Sequence, residues 1–525
     1  MTARKLYISV LISLFLLSVI VRLDNLTQHM GKHHEFITGH VLTANTNFEN
    51  DGLFALHFSP AYTFNNKADR LVPKYFIHDD NNVQYYVSYP PFSFLAAYFW
   101  QIPFGGPSVA AIRLFSLCIH FCCALLVISL LNALFKKKLS DGFYLPSLVG
   151  YIVYLFAPGN LWFHSNVYFA DTLVQLFVLS AFYVLVKFSK GEYSTKKSLI
   201  LFFVIFFLGV YTEWLMFFLS IAFGVFMLLK ARKDKSYWKP LLALSSGVVL
   251  SLALTFFQYS SIAGIDKLLE EETSKIEQRS GMVKDAAEYN RSYYEFDSFL
   301  SIDEHYSLNY GWVRLMFVLC LFFLFLLLLN RKKRADIFAR NMLLGEVLLL
   351  LVLGILMHHF IFFNFTSVHD FSTLKSSTLF SIFIAFSYHE LMIFITDRKP
   401  QFVESAKKIL AALLFILSCL SVQEYYSVNS NENRNVDQFN LGEIIKQKVK
   451  EDELVATVFY VSPEMMFYSK RNVKSFPSLE EFSSYVNSIH FDKLVFFGKK
   501  DDNTYLFTRM KNGAVVEERE IPMKR

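Results

Sequence analysis

Residues 198–230 read SLILFFVIFFLGVYTEWLMFFLSIAFGVFMLLK, two apolar runs that meet at a short polar break, Tyr211-Thr212-Glu213-Trp214. An α-helix needs about 20 mainly apolar residues to cross the hydrocarbon core of a membrane. Runs of this kind recur along the chain, and their number predicts about eleven membrane helices. The stretch therefore predicts a polytopic helical bundle rather than a soluble fold.

The composition agrees with a membrane protein. Of the 525 residues, 54% are hydrophobic and 58 are phenylalanine, and the mean hydropathy of +0.35 is too high for a soluble multidomain chain. The other predicted spans cover approximately residues 6–21, 108–135, 143–161, 171–188, 240–260, 311–330, 342–363, 376–396 and 408–423. Residues 6–21 lack a following cleavage site and are interpreted as an uncleaved first helix with the N-terminus inside.

Positive charge is sorted between the loops. Every Lys/Arg cluster falls on one side of the predicted bundle, which the positive-inside rule assigns to the cytoplasm. These clusters are Arg4-Lys5, Lys136-Lys137-Lys138, Lys187 to Lys197, Lys230 to Lys239, Arg331 to Arg334 with Arg340, and Arg398 to Lys408. The basic residues behind the net charge of +6 thus set the orientation of the helices in the membrane. They give no support to nucleic-acid binding.

Three long segments fall on the opposite, external side. Residues 24–107 form a long first loop that lies along the membrane surface, with an amphipathic helix over 92–100. Residues 261–310 read as a solvated helical hairpin in preference to a binding loop. From about residue 424 the composition becomes that of a soluble α/β domain, with strands over 454–460 and 493–497 and a helix started by Ser478. The predicted domains are therefore 1–423, in the membrane, and 424–525, outside it.

Glu35 is the first candidate for chemistry. It follows His33-His34 about a dozen residues beyond the first helix. A carboxylate near a low-dielectric boundary can have its pKa raised towards the value that a general base needs. The alternative is a solvated loop acid beside two solvated histidines.

Two further acids stand at helix ends on the external side. Asp171 is at the start of a predicted span. It either takes part in chemistry or caps the helix, where its negative charge interacts favourably with the positive end of the helix dipole. Glu213 lies near membrane depth, where an acid costs about 2.5–3.5 kcal/mol unless it is paired or wetted. Glu213 is therefore a functional-site hypothesis, with exposure in a tight hairpin turn as the alternative.

Cations and histidines complete the external set. Lys375, which follows His369-Asp370, and Arg113 suit the phosphate of a lipid headgroup, either specifically or by snorkelling to bulk phospholipid. The external histidines include no HxxxH or HxxE pair on one helix. A divalent metal is therefore left open, and no cofactor is predicted with certainty.

In this order the residues resemble the GT-C superfamily of membrane glycosyltransferases, which includes bacterial aminoarabinose transferases and protein O-mannosyltransferases. Four landmarks carry the resemblance: His34-Glu35 in the first loop, Tyr89-Pro90-Pro91 followed by Ala111-Ile112-Arg113-Leu114, Ala170-Asp171-Thr172, and His369-Asp370-Phe371. The C-terminal run Phe467 to Arg471 is similar to a tail that many members carry. Many relatives have an Asp-Glu pair where this chain has His34-Glu35.

The resemblance implies transfer of a sugar from a polyprenyl-phosphate carrier to a glycan, lipid or protein acceptor on the external or periplasmic face, with inversion. It implies that Glu35 is the base, that Asp171 orients the acceptor or shares that role, and that Lys375 and Arg113 neutralise the leaving phosphate. The other implied substrate-binding residues are His34, Tyr89, Pro90, Glu213, His369 and Asp370.

Two other functions remain open at this point. A secondary transporter would show inverted repeats and broken helices with charges at the membrane midplane, and no repeat is visible. A ligase or polymerase of lipid-linked surface polysaccharide shares the donor type and the topology, but its large late external loop is represented here only by residues 364–375.

Overall fold

The structure, a computed structural model of the chain, describes residues 3–65, 77–137, 144–281, 295–429, 435–501 and 504–522. The α-helices within these ranges are α1 Ala3–Ile20, α2 Glu35–Asp51, α3 Phe92–Gln101, α4 Val109–Leu134, α5 Leu145–Phe156, α6 Pro158–Phe163, α7 Ala170–Ser189, α8 Thr195–Val210, α9 Trp214–Ala231, α10 Trp238–Ala263, α11 Ile265–Ser280, α12 Phe296–Tyr310, α13 Trp312–Leu329, α14 Arg331–Ile361, α15 Phe363–Val368, α16 Ser377–Arg398, α17 Val403–Val428, α18 Val436–Lys448, α19 Pro463–Ser469 and α20 Leu479–Ser488.

The predicted fold class is confirmed, since a helix lies at each of the eleven predicted spans. In the described part of the chain, eight helical segments are long and apolar enough to cross a membrane. They contain α4, α7, α9, α10, α13, α14, α16 and α17. At the other three positions lie α1, α5 and α8, with 18, 12 and 16 residues. The span predicted over 143–161 divides into α5 and α6 because Pro158 cannot continue the helix.

The two ends of the bundle differ in charge. The helix α9 begins beside Glu213, and Lys230 lies in its last turn, with the ammonium 2.5 Å from Glu346 in the middle of α14. Farther along, α14 reaches His358, whose Nε2 lies 3.4 Å from Glu213. The basic clusters at 230–239 and 331–340 therefore lie at the opposite end of α9 and α14 from Glu213.

The first loop folds over one end of the bundle. It contains α2, the short strands β1 Ile77–His78 and β2 Gln84–Tyr85, and α3, which matches the helix predicted over 92–100. Most of α2 is buried, including polar residues from Thr38 to Asn47. Tyr168 ties this loop to the bundle, because its backbone N–H donates to Thr38 Oγ1 at 3.0 Å and its hydroxyl donates to Ser93 O at 2.7 Å.

The second external segment forms helices, as predicted, but it is only partly solvated. Its two helices, α11 and α12, pack against α15 and a turn of 3-10 helix over Asp370–Ser376. On α12 the hydroxyl of Tyr306 lies 2.8 Å from His359 Nε2 and 2.7 Å from Ser376 Oγ. Three further tyrosines of this segment, Tyr289, Tyr293 and Tyr294, lie outside the described residues.

The C-terminal region is a small α/β unit with a five-stranded sheet. Its strands are β3 Leu454–Thr457, β4 Lys474–Ser475, β5 Lys493–Asp501, β6 Thr504–Lys511 and β7 Ala514–Pro522, in the order β4-β3-β5-β6-β7. The first three strands are parallel, and β5, β6 and β7 form an antiparallel meander. As the sequence predicts, Ser478 caps α20 by accepting from the N–H of Glu481 at 3.1 Å.

The tail packs closely on the first loop through α19 and α2. Tyr468 accepts a hydrogen bond from Met30 N at 2.9 Å. The side chain of Asn472 bonds both the N–H and the C=O of Phe64, at 2.8 and 3.0 Å. Burial at this contact raises the pKa of the Glu464 carboxyl to about 7. These contacts place the tail beside the end of the bundle that carries Glu213.

Gly39 makes this contact possible, so Gly39→Ala is expected to lower the melting temperature. A methyl group at residue 39 would lie 2.8 Å from Glu464 N and 3.0 Å from Pro463 C. Backbone atoms cannot rotate away, and overpacking of this kind costs about 1–3 kcal/mol. Thermal unfolding in detergent measures the change. Gly345→Ala is the matched control, because nothing lies within 4 Å of the added methyl group. Equal melting temperatures for the two variants would contradict this account of the contact.

Candidate active site

The predicted site residues converge from separate parts of the chain. Asp171 lies in the first turn of α7, Glu213 is the residue before α9, and Glu35 begins α2. Negative charge is favourable at the N-terminus of a helix, where backbone N–H groups lack partners. The 3-10 turn over 370–376 brings Asp370 and Lys375 against these helix starts. The positions follow from local helix geometry, and their proximity follows from the fold.

Lys375 joins two of the acids in a buried cluster. Its ammonium donates to Asp171 Oδ1 and lies 3.6 Å from Glu213 Oε1, and His358 Nε2 is 3.4 Å from the same oxygen. All four side chains are buried. We call Asp171, Glu213, His358 and Lys375 the acid–lysine cluster. Because an unpaired buried charge is costly, each member depends on the others.

The alternative interpretation of Glu213, exposure in a tight hairpin turn, is wrong. The turn between α8 and α9 is present, but the side chain is fully buried. Its Oε2 accepts from Leu215 N at 2.6 Å, and its Oε1 faces Lys375 and His358. The structure thus supplies the pairing that a carboxylate near membrane depth requires.

Two histidines meet Asp370 at the start of α2. His33 Nε2 lies 3.2 Å from Asp370 Oδ2, and His34 Nε2 lies 2.7 Å from Asp370 Oδ1. The histidine side chains are 28% and 20% exposed, whereas Asp370 is 3% exposed, so the imidazoles face the open side. His34 has a φ of 58°, a left-handed conformation that is costly for a residue other than glycine. We call these three residues the histidine–aspartate triad.

The histidine–aspartate triad has the composition of a metal site. One ligand atom from each of the three residues lies within 4.8 Å of the other two. Two imidazole nitrogens and one carboxylate oxygen suit Zn²⁺ and other divalent transition metals, and three protein ligands leave a position open. The ligand set therefore fits a divalent metal without requiring one.

Glu35 and Arg113 pair with each other. Arg113 Nη2 lies 2.5 Å from Glu35 Oε2, and both side chains are buried. Arg113 Nη1 also donates to the carbonyl oxygens of Asn25 and Gln28, the second at 2.6 Å. The guanidinium thus holds the chain that leads into α2. The predicted roles of Glu35 as base and Arg113 as phosphate ligand stay predictions.

Tyr89 connects the site to α11. Its ring is buried, and the guanidinium of Arg279 lies 4.8 Å from the ring centroid. Burial and the nearby Asp171 carboxylate raise the pKa of Tyr89 well above its usual value, so it remains a neutral hydroxyl. Pro90 is also buried, just before α3. Arg279 donates to Ser88 O at 3.0 Å as well.

His369 is near both the triad and Arg279. Its ring centroid lies 6.3 Å from that of His34 and 5.0 Å from that of Phe371. Burial, with smaller contributions from His34 and Arg279, lowers the pKa of His369 to about 3, so its imidazole is neutral. A neutral imidazole can donate one hydrogen bond and accept another.

Two apolar cavities border the site and share Trp214 and Glu272. One, of about 410 Å³, lies between α9, α10 and α11, and the other, of about 240 Å³, lies between α9, α11 and the end of α14. Lys275 and Arg279 line the smaller cavity. Burial raises the pKa of the Glu272 carboxyl to about 7. The cavities therefore combine a long apolar surface with two cations at one side.

No protein-family model and no curated protein match the chain, but solved structures do. The oligosaccharyltransferase AglB from Archaeoglobus fulgidus, in complex with an inhibitory peptide and a dolichol-phosphate, has a TM-score of 0.57 at 11% identity, over 94% of this chain and 69% of that one. ArnT from Cupriavidus metallidurans, bound to undecaprenyl phosphate, has a TM-score of 0.54 at 12% identity, over 97% of this chain and 98% of that one. The chain has the GT-C fold. The predicted resemblance is confirmed at the level of the fold.

The predicted residues gather at one end of the bundle, but three participants were not assigned to the site from the sequence. His33 adjoins His34 in the sequence, and His358 falls within the predicted span over 342–363. Arg279 lies in the segment interpreted as a solvated hairpin. His33 could have been assigned to the site because it is next to His34 in the sequence. Nothing in the local sequence distinguishes Arg279 from a surface cation.

Proposed function

We propose that this protein transfers a sugar from a polyprenyl-phosphate donor to an acceptor at the external face of the cell membrane, with inversion at the anomeric carbon. The observation that carries the proposal is the position of the apolar cavities. Both are lined by Trp214, the residue after Glu213 of the acid–lysine cluster, and the smaller one is also lined by Lys275 and Arg279. A polyprenyl phosphate has a matching division into an apolar chain and an anionic head.

The donor phosphate is proposed to lie between the cavities and the acid–lysine cluster. Arg279 and Lys275 line the smaller cavity. Lys375 is buried and forms ion pairs with Asp171 and Glu213. Cations placed where charge develops on the leaving phosphate lower the barrier without reorganisation. Arg113 is less suited to this role because Glu35 and two carbonyl groups already bind it.

The acceptor is proposed to approach the histidine–aspartate triad. Glu35 is the predicted base, but its carboxylate is fully buried against Arg113. His34 is held by Asp370 through Nε2, and its Nδ1 has no hydrogen-bond partner among the described residues, so this nitrogen is better placed to take a proton from an acceptor hydroxyl. A divalent metal bound by the triad would supply Lewis-acid stabilisation of the phosphate. Asp171 would then orient the reactants through Lys375.

The external position of the site is part of the proposal. The acid–lysine cluster lies at the end of α9 and α14 opposite the basic clusters, which the positive-inside rule assigns to the cytoplasm. In a bacterial cell the proposed external face is the periplasmic face of the inner membrane. Single cysteines at Asp501 and Arg334, in a cysteine-free background, should respectively react and fail to react with an impermeant thiol reagent from outside. The reverse pattern would overturn the assignment.

Transfer itself is tested with purified protein. Labelled polyprenyl-phosphate sugars, nucleotide sugars and membrane extract are incubated with the parent and with Asp370→Asn as the control. We expect label from the lipid-linked donors alone to appear on an acceptor, and to appear about a hundredfold faster with the parent than with Asp370→Asn. Labelled chains that lengthen in steps would instead identify a polysaccharide ligase or polymerase. Uptake of sugar into vesicles without any covalent product would favour the transporter.

Arg279→Met is expected to weaken donor binding by about 10- to 150-fold, the range for one charge-assisted hydrogen bond. Methionine keeps an apolar side chain over Tyr89 but has no charge. Titration with a polyprenyl-phosphate analogue in detergent measures the affinity. Arg314→Met is the matched control, since Arg314 is paired with Asp303 outside the cavities. Equal affinities for the two variants would remove Arg279 from the donor site.

A further inference from the structure

A third cavity, separate from the two apolar ones, lies between the first loop and the C-terminal unit. Its volume is about 760 Å³, within the range of pockets that hold small-molecule ligands. The walls come from the end of α2, the turn over 105–107, and α18 with the end of α19. Glu49, on one wall, is fourteen residues beyond Glu35 in the same helix, which places it about 21 Å from the candidate active site.

The cavity is lined by both donors and acceptors. Glu49, Asp51 and Glu451 supply carboxylates, while Lys446 and Lys470 supply ammonium groups. Arg471 also lines the cavity, but its guanidinium donates to the carbonyl oxygens of Lys450, at 2.6 Å, and Glu453. The lining is therefore close to neutral overall, which does not suit a highly charged ligand of either sign.

Lys470 is the most unusual residue of this cavity. It is the residue that follows α19 and has a φ of 54°. Its ammonium lies 4.0 Å from the ring centroid of Phe467 and donates to Thr46 Oγ1 at 3.1 Å. Among the described residues no carboxylate lies within ion-pair distance of it. Burial, with the nearby ammonium of Lys446, lowers the pKa of Lys470 to about 8. A donor is thus held at the cavity wall in a costly conformation, without an acidic partner.

We propose that this cavity binds a saccharide, and that it is a subsite for the distal part of a glycan acceptor; the second half of this inference rests on the proposed function. A sugar hydroxyl both donates and accepts hydrogen bonds. It can therefore bond at once to a carboxylate such as Glu49 and to an ammonium such as Lys470. The polar walls and the absence of a net charge favour a hydroxyl-rich ligand over a phosphate or a peptide cation.

The site is tested on the full-length protein in detergent with a panel of immobilised neutral and acidic oligosaccharides. We expect the parent to bind at least one glycan of the panel. Lys470→Met and Glu49→Gln should each weaken that binding by about tenfold or more, with melting temperatures near the parental value. Lys500→Met is the matched control, because Lys500 lies on β5, outside the cavity lining, and is paired with Glu520. This variant should bind the glycan as the parent does.

Three results would overturn the proposal: no binding to any glycan by the parent, binding that both cavity variants retain, or complete displacement by inorganic phosphate alone. The last result would identify an anion site. Binding of the polyprenyl-phosphate analogue, measured on the same variants, separates this inference from the proposed function. It should be unchanged in Lys470→Met and Glu49→Gln, and its failure in the parent would count against the donor site only.

Discussion

Replacing Lys375 with methionine is expected to lower sugar transfer by about a hundredfold or more and to reduce thermal stability. The ammonium is the counter-ion of Asp171 and lies 3.6 Å from Glu213, and all three side chains are buried. Removing one member of a buried ion pair costs about 3–5 kcal/mol, because the remaining charge has lost its partner. Turnover with a labelled lipid-linked donor and thermal unfolding in detergent measure the two effects.

A second substitution separates a structural role from a role at the donor phosphate. Lys375→Met combined with Asp171→Asn removes both members of the pair, so stability should return towards the parental value. Glu213 retains His358 as a neighbour in this double variant. We expect stability to recover and transfer to remain low, since the cation proposed to face the phosphate is still missing. Parental turnover in the single variant would contradict the proposed role of Lys375.

Asp370→Asn is expected to lower turnover by about a hundredfold while leaving the melting temperature nearly unchanged. Asparagine has almost the same shape, but it cannot supply the negative charge that lies 3.2 Å from His33 Nε2 and 2.7 Å from His34 Nε2. Both a metal bound by these residues and a proton-accepting imidazole depend on that charge. Turnover at saturating donor measures the loss.

Metal analysis of the same proteins distinguishes the two chemical interpretations. A divalent metal present in the parent and absent from Asp370→Asn would identify the triad as a metal centre. Loss of activity with no metal in either protein would identify an acid–imidazole pair. Asp303→Asn is the matched control, because Asp303, on α12, is paired with Arg314 at the start of α13 and should retain parental turnover. Parental turnover in Asp370→Asn would exclude the triad from the reaction.

The membrane helices were predictable from the sequence because the length of an apolar run depends only on residues that are neighbours in the chain. The span predicted over 108–135 is the helix Val109–Leu134, and that over 171–188 is Ala170–Ser189. One predicted span is divided by another local effect, since Pro158 interrupts the span over 143–161. The span predicted to start at 342 begins just after Asn341, where a non-helical backbone conformation kinks the helix Arg331–Ile361.

The residues of the site were predictable one by one, but their partners were not. Charge sorting places Glu35, Asp171, Glu213 and Lys375 on one side of a membrane without saying which side chains meet. The structure pairs Glu35 with a residue 78 positions away and Lys375 with one 204 positions away. Pairing over such separations depends on helix packing. Many arrangements of the same helices satisfy the same local pattern.

Fold class, span positions and the side on which the ionisable residues lie therefore came from short-range physics: apolar length, helix capping and the distribution of Lys and Arg. The tertiary structure alone decided that Arg113 holds Glu35, that Lys375 joins Asp171 to Glu213, and that Arg279 reaches Tyr89 from a segment that reads as solvated. The reason is energetic. A charge taken out of water must find a partner, and only the packed helices determine which partner is within reach.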